Sequence, residues 1–268
     1  MRVQELADEL LRMFPAADAE SWDRVGLSVG NPEAEVTRVA CALDATVESI
    51  LAAQGAGCDV LLAHHPVSIS PPDLLAPAAP ARPSASAAMY EAVRRGVSIV
   101  SLHTNLDRSR VARDALPALL GLSADSSLEF PDEPARCGLG SVCPIEPCPL
   151  EDLASRAERA FATRARVWGN RAAIVRRVAF MGGSLGDFGD LAIDAGCDCV
   201  IAGELGYHRA QDLFLRGLSV MLLGHDRSEQ PFCSVLADAA TQAGIARDCI
   251  HIIPLPTQWW EPVQGGHS

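Results

Sequence analysis

The sequence lacks any long, uninterrupted run of apolar residues. Although 49% of its 268 residues are hydrophobic, no apolar stretch approaches the roughly 18 residues that are needed to cross a bilayer. The amino-terminal stretch "MRVQELADELLRMF" also has no apolar core of the secretory kind, because acidic residues separate its apolar residues at helical spacing. We therefore expect an amphipathic helix at this end and a protein of the cytoplasm without membrane contacts.

Basic runs are absent as well. The chain carries 34 acidic and 22 basic residues, which gives a formal net charge of -12. A protein this acidic repels the phosphates of nucleic acids unless its basic residues are segregated on one face. Nucleic acid is therefore not an expected partner. The fraction of charged residues, 21%, is ordinary for a globular protein and argues against disorder.

Two further motifs are missing. The nine cysteines never form a C-x-x-C pair, so we interpret them as reduced thiols in the core, with a cysteine zinc site as the less favoured alternative. The phosphate-binding pattern GxxxxGK[ST] is also absent, because "GGSLGDFG" at 182–189 has no lysine. Its glycines fit a turn that holds an anion at a helix start and, equally well, a tight strand-to-helix turn.

What the chain does contain is an internal repeat. Residues 36–65 align without gaps on residues 175–204, with ten identities in thirty positions. "RGVSIVSL" at 95–102 likewise corresponds to "RGLSVMLL" at 216–223. Both copies read strand, helix, strand, connection, strand, and their continuous apolar runs are typical of parallel strands covered on both faces. We predict an α/β fold of two similar halves, duplicated and related by a pseudo-twofold axis.

We expect the halves to span residues 1–122 and 123–268 and to form one compact unit. The proline-containing segment 123–150 is interpreted as their connection, with an edge strand of its own, and the helical pattern "PLEDLASRAERAF" follows it. The stretch 71–88 is rich in Pro, Ala and Ser and is predicted to be a loop.

Polar residues follow the predicted strands at corresponding places in both halves. The first half has His64 and His65 after one strand, and His103 and Asp107 in "SLHTNLD" after the next. The second half has "AGELGYH" and "LLGHDRSE", which contain Glu204, His208, His225 and Glu229. Because the carboxyl ends of strands in α/β sheets carry ligands and catalysis, we expect these residues to share one site.

Several of these residues also have an ordinary interpretation. Asp107 can cap the following helix, Glu229 can lie at a helix start where the dipole favours it, and His103 can be a hydrogen-bonded loop residue. The adjacent pair is harder to explain in this way, because neighbouring imidazoles repel each other when protonated and point in different directions. His64 and His65 make sense if each faces a different metal ion.

Three imidazoles and two carboxylates form the candidate ligand set: His64, His65, Asp107, His225 and Glu229. They are too few for two closed sites, but they suit two neighbouring ions that share a carboxylate and leave room for water. Mixed nitrogen and oxygen donors fit Zn, Mn, Fe(II) or Co better than Ca or Mg. Two such ions, about 3.5–4 Å apart, would activate water and stabilise an oxyanion. His103, Glu204 and His208 are the expected catalytic residues, which orient ligands or move protons.

Six stretches, in order along the chain, carry a resemblance to a known family. They are "AESWDRVGLSVG" (19–30), "ALDAT" (42–46), "AHHP" (63–66), "HTNLD" (103–107), "GELGYH" (203–208) and "GHDRSE" (224–229). In them the sequence resembles the Nif-three-like family, whose members are known as GTP cyclohydrolase 1 type 2 homologues. Its length resembles the short form, which has no domain inserted between the halves.

The resemblance implies a dinuclear metal site on the same five residues. It also implies a toroidal homohexamer, a trimer of dimers with the metal sites facing an inner cavity. Departures from the family pattern are Tyr207, which stands where the first of two histidines is usual, and "RSRVARDAL" after Asp107, which lacks the usual Gly and Asn. The carboxyl-terminal "QWWEPVQGGHS" has no counterpart, and we expect Trp259 and Trp260 to pack at a subunit contact or to anchor the tail.

Two functions of different classes remain open. The first is a dinuclear-metal-dependent hydrolase that resembles GTP cyclohydrolase 1 type 2, with metal-activated water attacking a nucleotide or phosphoester substrate. The second is a non-catalytic protein that binds or delivers metal, or a regulatory interaction partner. The same ligand set would serve both.

Overall fold

The computed structural model describes residues 1–80, 84–256 and 259, which form two five-stranded sheets. In spatial order, the first sheet contains β1 (Gly26–Val29), β4 (Ser98–Ser101), β3 (Val60–Ala63), β2 (Val39–Ala42) and β10 (Ile250–Ile252). The second contains β5 (Ser141–Pro149), β7 (Ile174–Ser184), β8 (Cys199–Glu204), β9 (Ser219–Leu222) and β6 (Arg166–Trp168).

The helices connect and cover these strands. They are α1 (Val3–Met13), α2 (Val47–Gly55), α3 (Ser84–Arg95), α4 (Thr104–Asp107), α5 (Arg110–Ala118), α6 (Leu150–Ala160), α7 (Phe188–Asp194), α8 (Tyr207–Leu215), α9 (His225–Glu229) and α10 (Phe232–Gln242). Short 3-10 turns occupy Ala16–Asp18 and Arg247–Cys249. Within the described residues, no helix has the length and apolar character that a bilayer crossing requires.

The duplication predicted from the repeat is visible in the strand register. Strands β2, β3 and β4 are mutually parallel, as are β7, β8 and β9. Residues at equivalent repeat positions pair in the same way: Val39 with Val60 and Val60 with Ser98, and Val178 with Cys199 and Cys199 with Ser219. The prediction of two similar α/β halves is therefore confirmed.

The repeated triplet "GCD" has the same local role in both halves. The carboxylate of Asp59 accepts hydrogen bonds from the backbone N–H groups of Thr37 and Arg38, at 2.8 and 3.1 Å. The carboxylate of Asp198 accepts the equivalent bonds from residues 176 and 177, at 2.6 and 3.0 Å. Each aspartate thus ties the start of the strand that follows it to the neighbouring strand, just before β2 in the first half and within β7 in the second.

One apolar core lies between the sheets and contains residues of both halves, including Val39, Leu62, Val178 and Ile201. Alternate residues of the same strands face two separate outer cores, one for each sheet. Both faces of the central strands are therefore covered, which explains why their apolar runs are continuous.

The carboxyl-terminal segment returns to the first sheet. Strand β10 lies parallel to β2, and α10 packs against β2 and β10. A strand of the expected second half, residues 123–268, therefore joins the sheet of the first half. The boundary between residues 122 and 123 stays a proposal.

Local structure was predicted for two connecting segments, 71–88 and 123–150. Helix α3 begins at Ser84, inside the stretch 71–88 that was expected to be a loop, because "SASAA" is a helix-compatible run; residues 81–83 lie outside the described residues. Cys143 and Cys148 lie in strand β5, within the segment 123–150 where an edge strand was expected. This strand tolerates its prolines because it is an edge strand whose register is irregular between Pro144 and Cys148.

Two further expectations concern thiols and the tail. All nine cysteines, each among the described residues, are free, and six of the nine are buried. Trp259 is 82% exposed, and Trp260 lies outside the described residues, so the packing that was expected of the two tryptophans stays a prediction.

Candidate metal centre

The two adjacent histidines leave the carboxyl end of β3 with a fixed backbone. The N–H groups of His64 and His65 donate to the carbonyls of Ala42 and Leu43, at 3.1 and 2.9 Å. Their rings are tilted by 42° to each other, with centroids 5.1 Å apart. The strand ladder thus extends one step past β3 and directs the two side chains into different environments.

His64 is completely buried and neutral. Its Nδ1–H donates to the carbonyl of Leu102 at 2.9 Å, which leaves a lone pair on Nε2. That atom lies 3.5 Å from Oδ1 of Asp107 and 3.9 Å from Oε1 of Glu229. Burial lowers the pKa of His64 to about 3. A neutral imidazole with a free nitrogen is the form that ligates a metal.

His65 and His225 each lie between two carboxylates. His65 has Nδ1 at 2.7 Å from Asp44 and Nε2 at 2.9 Å from Oε2 of Glu229. His225 has Nδ1 at 3.1 Å from Glu204 and Nε2 at 3.1 Å from the same Oε2. A neutral ring has only one N–H, so a second positive partner, a proton or a cation, is needed between each Nε2 and Glu229.

The pKa values of His65 and His225 indicate that, in the metal-free protein, this positive partner is a proton. Burial opposes protonation of His65, but its hydrogen bonds with Asp44 and Glu229 raise its pKa to about 10. The hydrogen bond with Glu229 raises the pKa of His225 to about 9. Without a cation in the site, both rings are therefore protonated at neutral pH.

Glu229 is the centre of the cluster and is only 5% exposed. Burial disfavours its charge, yet the hydrogen bonds with His225 and His65 hold its pKa well below the ordinary value. Glycines make the room that it occupies. A Cβ on Gly183, where φ is +60°, would lie 2.3 Å from Oε1 of Glu229 and 3.0 Å from Nε2 of His225. The glycines of "GGSLGDFG" thus accommodate this carboxylate at the end of β7.

Asp107 completes the set from the first half. It ends α4, and Ser109 caps the next helix by accepting from the N–H of Ala112, so the capping interpretation of Asp107 is wrong. Burial, together with the charge of Glu229, raises the pKa of Asp107 well above its ordinary value. Glu229 in turn ends α9, so a helix-start interpretation does not apply to it.

His103 lies beside the adjacent histidines. Its ring centroid is 5.3 Å from that of His64 and 5.6 Å from that of His65. Its Nδ1 is 2.9 Å from Oδ1 of Asp23, whose other oxygen accepts from the backbone N–H of Thr104 at 3.1 Å. Burial opposes ionisation of Asp23, but the hydrogen bond with His103 holds its pKa below the ordinary value. His103 is therefore oriented by a charged carboxylate.

Glu204 and His208 are the other two expected catalytic residues, and only one of them contacts the cluster. Glu204, at the end of β8, contacts Nδ1 of His225 and so touches the cluster. His208 is exposed, and its described contact is with the ring of Tyr207, 5.3 Å away. The structure thus brings Glu204 and His103 to the five candidate ligands, whereas a catalytic role for His208 stays a prediction.

Two residues were missed by sequence reasoning. Asp44, which orients His65, and Asp23, which orients His103, both lie in stretches that carried the family resemblance. Asp44 also follows directly after β2, so the rule that placed the other ligands at strand ends applies to it. Asp23 lies before β1, and no strand-end signal points to it.

The chemistry of the clustered side chains suits metal binding. Nε2 of His64 and Oδ1 of Asp107 are buried, and neither has a hydrogen-bond partner among the described residues. Such orphaned atoms are rare in folded proteins, and one cation would satisfy both. The potential ligand atoms of His65, His225 and Glu229 lie within 4.8 Å of one another, as do those of His64, His65 and His103.

A cavity of about 340 Å³ opens onto the cluster. Asp107, His225 and Glu229 line one side of it, and Trp22 and His103 line another. Apolar side chains, among them Leu116, Phe180, Phe188 and Phe232, form much of the remaining wall. A small molecule in this cavity would therefore reach the cluster from a largely apolar environment.

The comparisons with known proteins concern nearly the whole chain. The family described as Duf34/NIF3 (NGG1p interacting factor 3) matches residues 1–253. A protein of Streptomyces coelicolor named "GTP cyclohydrolase 1 type 2 homolog" is 34% identical over 242 residues, which are 87% of this chain and 84% of that protein. A Clostridium acetobutylicum protein of the same name is 27% identical over 241 residues, 88% of each chain.

Two solved structures show the same fold. A Bacillus cereus protein related to NIF3 superposes with a TM-score of 0.85 at 18% identity and covers 97% of this chain and 99% of its own. Reduced HcgD from Methanocaldococcus jannaschii gives a TM-score of 0.75 at 21% identity, over 94% of this chain and 96% of its own.

Proposed function

The chain belongs to the Duf34/NIF3 family, and from that membership and the geometry of the candidate metal centre we propose that it is a dinuclear-metal-dependent hydrolase acting on a nucleotide or another phosphoester. The observation that carries the proposal is the position of Glu229. One of its oxygens faces His64, and the other faces both His65 and His225.

We assign one cation to His64, Asp107 and Oε1 of Glu229. The second is assigned to His65, His225 and Oε2 of Glu229. Glu229 would thus help to hold both cations, which would supply Lewis acidity toward water or substrate. The nitrogen and oxygen donors suit Zn, Mn, Fe(II) or Co.

The bound pair would supply an activated water at neutral pH and positive charge for a developing oxyanion. The chain's own residues orient the ligands and move protons. Asp44 and Glu204 hold the rings of His65 and His225 from the far side, which fixes their orientation and raises their basicity as ligands. His103, held by Asp23 through Nδ1, presents Nε2 as a proton acceptor next to His64 and His65.

The substrate would approach through the cavity lined by Trp22, His103 and Glu229. Two reactions suit the site. One is the opening of the purine ring of GTP with loss of formate, which the name of the relatives favours. The other is phosphoester hydrolysis. Both need an activated water, a general base and stabilisation of negative charge.

A non-catalytic role in binding or delivering metal, or in regulation, is the competing proposal. The family description as an interacting factor favours it. One experiment separates the two. Purified protein is analysed for metal and then tested against nucleotides and phosphodiesters with that metal added. The hydrolase predicts turnover that Glu229→Ala and His65→Ala abolish, whereas a carrier predicts rapid metal exchange and no turnover.

We also propose that the protein acts in the cytoplasm as a homohexamer, a trimer of dimers, in which residues 1–122 and 123–268 form the two halves of each subunit. The resemblance to the family supports this assembly, and the molar mass measured by light scattering in solution tests it. A monomer or dimer at micromolar concentration would exclude the hexamer and would leave the metal centre unaffected, because all of its proposed ligands come from one chain.

A further inference from the structure

His225 separates two cavities. One is the cavity of about 340 Å³ that opens onto the metal cluster. The other is a cleft of about 760 Å³, which is lined by Glu204 and His225 as well as by residues outside the cluster. The roles proposed above leave this larger cleft without a function, although it shares a candidate metal ligand.

Three arginines line this larger cleft. Arg164 precedes β6, Arg166 begins that strand, and Arg227 lies in α9, between the candidate ligands His225 and Glu229. The chain contains no lysine, so all 22 of its basic residues are arginines. A guanidinium group offers planar, paired N–H donors that match the oxygens of a phosphate.

The guanidinium groups of Arg166 and Arg227 have no carboxylate partner among the described residues, although the chain is acidic. Elsewhere the arginines commonly pair with acids. The side chains of Arg209 and Arg216, for example, both bind Asp190 and Asp212. Two positive groups without such partners in one cleft attract an anion from solution.

Among the described residues, none of the acidic side chains that line the cleft forms an ion pair with Arg166 or Arg227, and each has a different partner. Glu158 accepts from the backbone N–H of Ala165 at 2.9 Å. Asp226 accepts from the backbone N–H of Arg227 at 2.9 Å, and Glu204 contacts His225. The side-chain donors of Arg166 and Arg227 therefore remain available to a ligand.

We propose that this cleft is a phosphate-binding subsite of the active site. Arg166 and Arg227, with Arg164 beside them, bind a phosphate of the substrate while the reacting group lies at the metal pair on the other side of His225. The substrate class is therefore a phosphate ester that carries at least one phosphate besides the reacting group. This inference rests on the proposed function, because that function places the reacting group at the metal pair.

The test measures ligand binding to metal-free protein by calorimetry, with 5′-GMP and guanosine as probes. We expect 5′-GMP to bind at least about 10-fold more tightly than guanosine, since only the nucleotide carries a phosphate. Arg166→Gln combined with Arg227→Gln should weaken 5′-GMP binding about 10- to 100-fold. Arg166→Lys combined with Arg227→Lys should bind 5′-GMP with an affinity between those of the wild type and the Gln pair, because lysine keeps the charge but not the paired donors.

The matched control is Arg171→Gln combined with Arg176→Gln. Both positions are exposed in the same half, and the pair removes the same charge without lining the cleft. The control should keep the wild-type affinity. Equal affinity for 5′-GMP and guanosine, or equal weakening in both Gln pairs, would overturn the inference. Failure of the hydrolase proposal would instead appear as absent metal-dependent turnover with 5′-GMP binding intact.

Discussion

At the residue scale, Glu229 connects the two proposed ion sites. The sequence indicates Asp107 and Glu229 as candidate carboxylate ligands, but spacing along the chain does not say which of them would bridge. The structure provides the reason to choose Glu229, because its two oxygens face different histidines. Asp107 faces only His64 among the candidate histidines.

Glu229→Gln should therefore disturb both ions. An amide keeps the size of the side chain but removes the charge and one acceptor oxygen. We expect the variant to retain fewer than half of the metal ions of the wild type after dialysis, as measured by elemental analysis. Glu151→Gln, exposed on α6, should keep the full content. Equal metal content in both variants would contradict the bridging role.

Gly183→Ala tests the space in which Glu229 lies. Gly183 and Gly186 both have positive φ, +60° and +52°, but a Cβ at Gly186 would meet nothing within 4 Å. Both Ala variants should lose about 1 kcal/mol of stability from backbone strain. We expect only Gly183→Ala to lose metal affinity, measured by titration of metal-free protein. A similar loss in Gly186→Ala would show that general destabilisation, and not the contact with Glu229, is responsible.

Asp44→Asn tests the orientation of His65. Partners of ligand histidines typically contribute 10- to 100-fold to metal affinity, and we expect a loss of about that size in a competition titration with a chelator. Asp73→Asn, at an exposed loop position, is the control. If the two variants bind metal equally well, Asp44 does not support the site.

Metal binding should also release protons. Because the pKa values of His65 and His225 are raised to about 10 and 9 in the metal-free cluster, both rings are protonated at pH 7 and must lose a proton to bind a cation. Affinity should therefore rise as the pH increases from 6 to 9. Calorimetry in buffers of different ionisation enthalpy measures the release directly, and an affinity that does not change over this range would contradict the assigned ligands.

At the element scale, the repeat predicted the central strands well. The apolar runs and the matching "GCD" triplets locate β2, β3, β7 and β8. The sequence did not predict β10 in the first sheet, because "IHI" is a short edge pattern and its pairing with β2 depends on how α10 packs. The predicted loop 71–88 runs into helix α3, because the composition of this stretch hides the point where the helix begins.

Asp59→Asn tests the aspartate that both halves repeat. Burial opposes ionisation of Asp59, but hydrogen bonds from residues 37 and 38 lower its pKa. The variant should lose about 1–3 kcal/mol of unfolding free energy at pH 7. A lowered pKa stabilises the fold above the unfolded value and loses that contribution as the pH falls. The difference in unfolding free energy between the wild type and Asp59→Asn should therefore shrink as the pH falls from 5 to 2.

Denaturant unfolding at several pH values measures this difference. Asp194→Asn, at an exposed position near the end of α7, should change stability little at any pH. A constant difference between the wild type and Asp59→Asn down to pH 2 would mean that the carboxylate charge does not stabilise the strand connection.

At the scale of the whole molecule, the proposed ligands come from both halves. His64, His65 and Asp107 lie in the first, and His225 and Glu229 in the second. The sequence could indicate that equivalent strand ends meet, because the repeat relates them. It could not give the shared core or the returning carboxyl-terminal segment, which depend on packing between distant parts of the chain. The expected hexamer came from the family resemblance alone.

The central claim is that the two halves jointly hold two cations bridged by Glu229. Anomalous diffraction at the absorption edge of the bound metal tests it most directly, on crystals of the metal-loaded protein. We expect two peaks per subunit, about 3.5–4 Å apart, one beside His64 and Asp107 and the other beside His65 and His225. A single peak, or peaks that do not both contact Glu229, would contradict it.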